Sequence, residues 1–100
     1  MFNGTVKPGM EAAMRDWVES RLAPLWRQFD RAETVNVCYE RKADPAGPTI
    51  PLMLVITYAD EAAVEAALAS PARYTSRDLL PEFYDQFFED VTLWHYTMTD

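Results

Sequence analysis

The stretch Ile50-Pro51-Leu52-Met53-Leu54-Val55-Ile56-Thr57-Tyr58 decides how the chain folds. A strand with one wet face alternates apolar and polar residues, and this run does not alternate until Thr57. A near-continuous series of Leu, Met, Val and Ile predicts a strand covered on both faces. The strand before it, Thr34 to Arg41, alternates cleanly. Val35, Val37 and Tyr39 fall on one face, and Asn36, Cys38 and Glu40 on the other. Ala43-Asp44-Pro45-Ala46-Gly47-Pro48 joins the two as a hairpin-type loop rich in turn residues.

Working outward, Phe2 to Val6 is a short strand that Lys7-Pro8-Gly9 ends. From Met10 the period becomes helical, through Met14, Trp17/Val18, Leu22, Leu25 and Phe29. Pro24 inside this pattern predicts a kink or restart near Leu22–Pro24, because its ring nitrogen cannot donate to the Ser20 carbonyl. Asp60 is set to cap a helix running through Ala69, with Val64, Ala67 and Leu68 on its buried side. Ser70-Pro71 ends that helix, and Pro71 is well placed to start another turn. A further helix is expected over Pro81 to Asp90, its Phe83/Tyr84 and Phe87/Phe88 forming a stripe better suited to packing than to cofactor binding. Val91 to Met98, rich in β-branched and aromatic residues, is the last strand.

The order is β-α-β-β-α-β. It defines one α+β domain over residues 1–100: a ferredoxin-like, four-stranded antiparallel sheet with helices on one face. Such a sheet leaves its second face bare. Spread over four strands, an apolar bare face exceeds what soluble monomers tolerate, so a homodimer closing two sheets into an α+β barrel is expected. Leu52, Leu54 and Ile56, with Val35, Val37 and Tyr39, are assigned to the helix side. Asn36, Cys38, Met53, Val55 and Thr57 are assigned to the barrel interior, together with Trp94 and Tyr96.

Composition narrows the function classes. Hydrophobic residues make up 49% of the chain, enough for a packed core, so a disordered chain is excluded. A net charge of −7 argues against nucleic acid and against an anionic membrane surface as partners. No apolar run approaches the ~20 residues that span a bilayer. Met1-Phe2-Asn3-Gly4 lacks the basic and apolar regions of a signal peptide, so a cytoplasmic location is expected. One cysteine, Cys38, excludes an internal disulfide and a multi-cysteine metal site; a thiol in a strand pattern reads as a small buried hydrophobe. With three glycines and no His-x-x-x-His, the chain shows no phosphate loop or metal motif, and no cofactor is expected.

Trp17-Val18-Glu19-Ser20-Arg21-Leu22-Ala23-Pro24-Leu25 resembles the kinked Trp…His-Ala-Pro-Leu helix of the EthD family, within the dimeric α+β barrel superfamily. Tyr58-Ala59-Asp60-Glu61, the Ala69-Ser70-Pro71 break, and Asp78 leading into Phe83, Phe87 and Phe88 are similar too. The resemblance covers most of the chain. It implies a dimeric barrel with a central pocket. It also points toward the activities of that superfamily: accessory proteins of ether-degrading monooxygenases, small monooxygenases, lactone isomerases and haem-degrading enzymes. The family histidine before Ala-Pro-Leu falls on Leu22 here, beside Arg21, so its acid–base role does not carry over, and Leu22 is assigned to the pocket lining.

The chemistry-bearing residues are few. His95 is the sole histidine, a candidate general base, or a haem ligand if it faces the barrel; a lone histidine between Trp94 and Tyr96 is more often an ordinary sheet residue. Tyr96 and Tyr58 carry phenols able to polarise a carbonyl. Asn36, an amide between valines, needs a partner in a ligand, a water or the dimer mate. The expected function is binding of a small apolar or aromatic metabolite by Leu22, Asn36, Met53, Val55, Thr57, Trp94 and Tyr96. His95, Tyr96 and Asn36 are the catalytic candidates for a cofactor-independent monooxygenase, isomerase or accessory enzyme. The alternative is a non-catalytic ligand-binding or complex-forming dimer module.

Overall fold

The computed structural model describes residues 1–99. In chain order they form β1 (Phe2–Val6), α1 (Glu11–Trp17), a π-helical turn (Val18–Leu22), α2 (Ala23–Trp26), β2 (Thr34–Tyr39), β3 (Leu52–Thr57), α3 (Glu61–Leu68), α4 (Pro71–Phe87) and β4 (Phe88–Leu93). The strands lie in the order β2-β3-β1-β4 with every neighbouring pair antiparallel. Each crossover therefore jumps a strand, β1 to β2 over β3 and β3 to β4 over β1. This is the ferredoxin-like arrangement.

The expected kink at Pro24 takes a specific form. The Ala23 N–H donates to the Val18 carbonyl five residues back, so the helix widens by one residue just before the proline. A π turn of this kind absorbs a local mismatch in the ladder without ending the helix. Through it Met14, Val18, Leu22, Ala23 and Trp26 all turn toward the sheet and are buried.

Several boundaries differ from the sequence reading. Pro71 to Phe87 is one continuous helix with Pro81 inside it, where two separate elements were expected. Pro81 loses one backbone bond, and the packing of Phe83 and Phe87 on the sheet outweighs that loss. Phe88 is already in the strand, so α4 enters β4 with no residue between them. β4 then ends at Leu93, not Met98, because its partner β1 runs out: Phe2 pairs with Leu93, and Met1 exchanges two backbone bonds with Trp94. At the front of β3, Pro51 has no N–H to give a ladder, and the strand starts at Leu52. In α3 the buried pair is Ala63 and Ala67, with Leu68 turned outward; Asp60 caps the helix by accepting from the Ala63 N–H at 2.8 Å.

The core lies between helices and sheet and is centred on Phe83. Its ring stacks on Trp17 at 5.2 Å and meets Phe88 edge-on at 5.3 Å, Phe2 at 6.0 Å and Phe87 at 5.8 Å. Edge-to-face and offset contacts of this kind add to the burial each ring already gains. Gly4 is imposed by close approach: a Cβ there would stand 2.1 Å from the Asp90 carbonyl oxygen, where β1 and β4 shift register. Along β2 and β3 burial alternates as the sequence suggests. Val35, Val37, Tyr39, Leu52 and Leu54 pack on the core, and Asn36, Cys38, Val55 and Thr57 are exposed.

Two outcomes check this packing in thermal or denaturant unfolding. Phe83→Ala is expected to cost about 3–5 kcal/mol. Gly4→Ala, which overfills a backbone contact, is expected to cost about 1–3 kcal/mol without opening any cavity.

Candidate functional site

Asn36, Met53, Val55 and Thr57 stand together on the open face of the sheet, and the β2–β3 register sets Asn36 opposite Val55 and Cys38 opposite Met53. Val55 is 40% exposed. Cys38 is exposed as well, where a buried thiol was expected, because the second face of β2 has no layer above it. Thr34 and Thr57 pair through their hydroxyls at one end of this surface. On the other half of the sheet the alternation puts Asn3, Thr5 and Thr92 on the same side, with Trp94 following Leu93 outward.

The composition of this face is unusual for the chain. Charged residues are 25% of the sequence, and the exposed helix surfaces carry Glu11, Arg15, Asp16, Glu19, Arg21, Glu61, Glu65, Arg77, Asp78, Glu82 and Asp85. Along β2 and β3 the open-face residues Asn36, Cys38, Met53, Val55 and Thr57 carry no charge; the exposed carboxylates of β4, Glu89 and Asp90, sit side by side at the bulge at one end of the sheet, where Asp90 accepts the Thr5 N–H at 3.0 Å. Nor is the face uniformly apolar. Met53, Val55 and Cys38 form an apolar centre bordered by asparagines and threonines, so β3's second face is only partly covered within one chain.

The remaining candidates are dispersed. Leu22 is completely buried on the helix side of the sheet, packed in the core with no surface toward the open face. Asn36 is on edge strand β2 and Trp94 follows edge strand β4; three strand spacings, about 14 Å, separate the two edges. Tyr96 is exposed beyond the end of the sheet. His95 is exposed near the Met1 ammonium and Arg73 of α4, and its pKa is lowered by partial desolvation first and by those two positive charges second. Tyr58, just past β3, has its phenol pKa raised by burial.

Two groups that the sequence did not single out come together on the helix side. The Tyr39 hydroxyl donates to Glu19 at 2.7 Å, Arg27 lies 3.8 Å from the same carboxylate, and the Arg15 guanidinium sits 5.0 Å over the Tyr39 ring. Desolvation, then the Glu19 hydrogen bond and charge, push the Tyr39 phenol well above its ordinary pKa, so it stays protonated and acts as a clamp between the π turn and β2. Beside it an open cleft of about 200 Å³ is lined by Thr5, Val6, Glu11, Met14, Arg15, Glu40, Thr49 and Pro51. Glu40 is held there by the Ile50 N–H at 2.8 Å, a loop closure over ten residues that no local pattern reveals. A second, shallower hollow of about 380 Å³ lies against Pro81, Tyr84 and Phe88. Neither contains Asn36, His95 or Tyr96.

Among the described residues no three His, Cys, Asp or Glu side chains gather within reach of one metal ion, and no helix is long and apolar enough to cross a membrane. No protein-family model, curated protein or solved structure matches the chain.

With a single histidine in the chain, one ring signal in a proton NMR titration reports the surroundings of His95 directly. Its midpoint is expected below the ordinary histidine value, and Arg73→Met is expected to move it upward. Because the fold favours the neutral ring, His95 should subtract stability only as pH falls from about 6.5 through the lowered pKa, with no effect above that window.

Proposed function

We propose that the chain works as an EthD-like homodimer of the dimeric α+β barrel kind, which binds a small neutral apolar or aromatic molecule against the open sheet face. The observation that carries this reading is the near absence of charge on an exposed face of a chain with 25% charged residues. Loss of charge from the centre of a patch is what distinguishes buried interfaces from ordinary surface. Two copies, each at −7, repel through most of their surfaces, and an uncharged face is where they can approach.

Met53 and Val55 supply the apolar wall, and Asn36 and Thr57 the few polar groups that orient a ligand, the usual make-up of a small-molecule site. Asn36, with Tyr96 or His95 brought in by association, is the group to polarise a bound phenol or carbonyl, as a cofactor-independent monooxygenase, isomerase or accessory protein requires. A second reading, a dimer module without chemistry, draws on a separate observation: within one chain Asn36 and the Trp94–Tyr96 segment lie at opposite edges of the sheet. A reduced cytoplasmic setting suits both readings, since Cys38 is exposed and unpaired.

Sedimentation equilibrium should give twice the 11.5 kDa chain mass, and 1-naphthol should bind the dimer. Asn36→Leu is expected to weaken 1-naphthol roughly tenfold, the value of one hydrogen bond, while leaving naphthalene unchanged. Equal loss of both compounds, or none, would remove Asn36 from the site. A wild-type dimer that binds neither compound leaves the module reading in place of the ligand-binding one.

A further inference from the structure

Trp94, Tyr96 and Met98 occupy alternate positions at the end of the chain and are 50%, 66% and 88% exposed. They are three of the six large hydrophobic side chains that stand out from the surface, the others being Val55, Leu68 and Tyr74. The segment has the composition of a strand, yet the β1–β4 ladder ends at the Met1–Trp94 bonds. Among the described residues no strand lies beside His95–Thr99.

We infer that this segment is an exchanged arm: in the homodimer, residues 94–98 of each copy lie across the open sheet face of the other, over Val55. The inference rests on the homodimer reading above and names the contact that holds it together.

Area, chemistry and symmetry agree on the occupant. At roughly 150–250 Å² for a large aromatic side chain, the exposed parts of Trp94, Tyr96 and Met98 amount to several hundred Å². That is about half of the ~800 Å² per partner in a stable interface. Trp, Tyr and Met are also the residue types enriched at interface centres. The arm carries no Lys, Arg, Asp or Glu between Trp94 and Thr99, and the part of the face it would cover, around Val55 on β2 and β3, is uncharged. Donor and receptor are present on every copy, which is the condition for a closed twofold pairing.

The test uses two variants of the full chain. Tyr96→Ser/Met98→Ser damages the arm and leaves the face; Val55→Glu damages the face and leaves the arm. All three residues involved are exposed, so far-UV circular dichroism should match wild type for both. Each alone is expected to raise the dimer dissociation constant at least tenfold in sedimentation. An equal mixture is expected to recover association, because one intact arm then meets one intact face. A wild-type dimer that the arm variant leaves unchanged overturns the exchange and spares the homodimer. So does a loss in both variants that mixing does not restore. A monomeric wild type, whether its arm stays free or partitions onto neutral phosphatidylcholine vesicles, overturns both.

Discussion

Two strand-jumping crossovers bring α1, the π turn, α2 and α4 together over one side of a four-stranded sheet, and the chemistry of the surface follows from that constraint. The covered side holds the aromatic cluster around Phe83, where α4, the first helix and β1 meet. Most of the exposed charged residues of the helical layer lie on the outer surfaces of the helices. The other side of the sheet receives no helix, and along β2 and β3 it carries no charge. Among the described residues no element lies over it, so the Asn, Thr, Met and Val side chains there meet solvent or another molecule.

The helical side is held to the sheet by more than apolar packing. The π turn before Pro24 lies against the sheet with Val18, Leu22 and Ala23 fully buried. Tyr39 and Glu19 then tie that widened turn to the last residue of β2, with Arg15 and Arg27 balancing the carboxylate. The polar contacts lie at the margin, where water screens them and each is worth little. The aromatic contacts lie at the centre. The packing of Phe83 and its neighbours is therefore the larger contribution, and the polar group adds a tie between the π turn and the end of β2.

How much of this was legible depends on whether the signal is local. The faces of β2 and β3 could be read because a period of two in Val35, Val37 and Tyr39 leaves Asn36 and Cys38 nowhere else to point. The break at Pro24 was visible as a missing donor, although its resolution as a π turn was not. Pro81 misled, since a proline that ends one helix is tolerated in another when the turns after it are anchored, here by the buried Phe83 and Phe87. Phe87 and Phe88 fit a helical stripe and a strand equally well, and only the sheet decides between them. For the candidate site, the open-face residues could be grouped from alternation. Leu22 could not be placed: a residue carried over by resemblance to a motif says nothing about depth, and here it lies in the core. The cleft at Arg15 and Glu40 depends on a loop closing back on itself between residues 40 and 50, and pairings at that separation leave no periodic trace.

The direct passage from α4 into β4 constrains how the chain can change length. Phe87 closes the helix and Phe88 opens the strand, both are buried, and no spacer separates them. Inserting or deleting one residue there would turn β4 over. Val91 and Leu93 would move to the open face, and Thr92 would enter the core against Phe2's neighbours. The segment between Glu40 and Thr49, by contrast, is exposed for most of its length and can take extra residues at little cost. In any lineage of chains built this way, gaps should gather in that loop, and the junction at 87–88 should stay free of them.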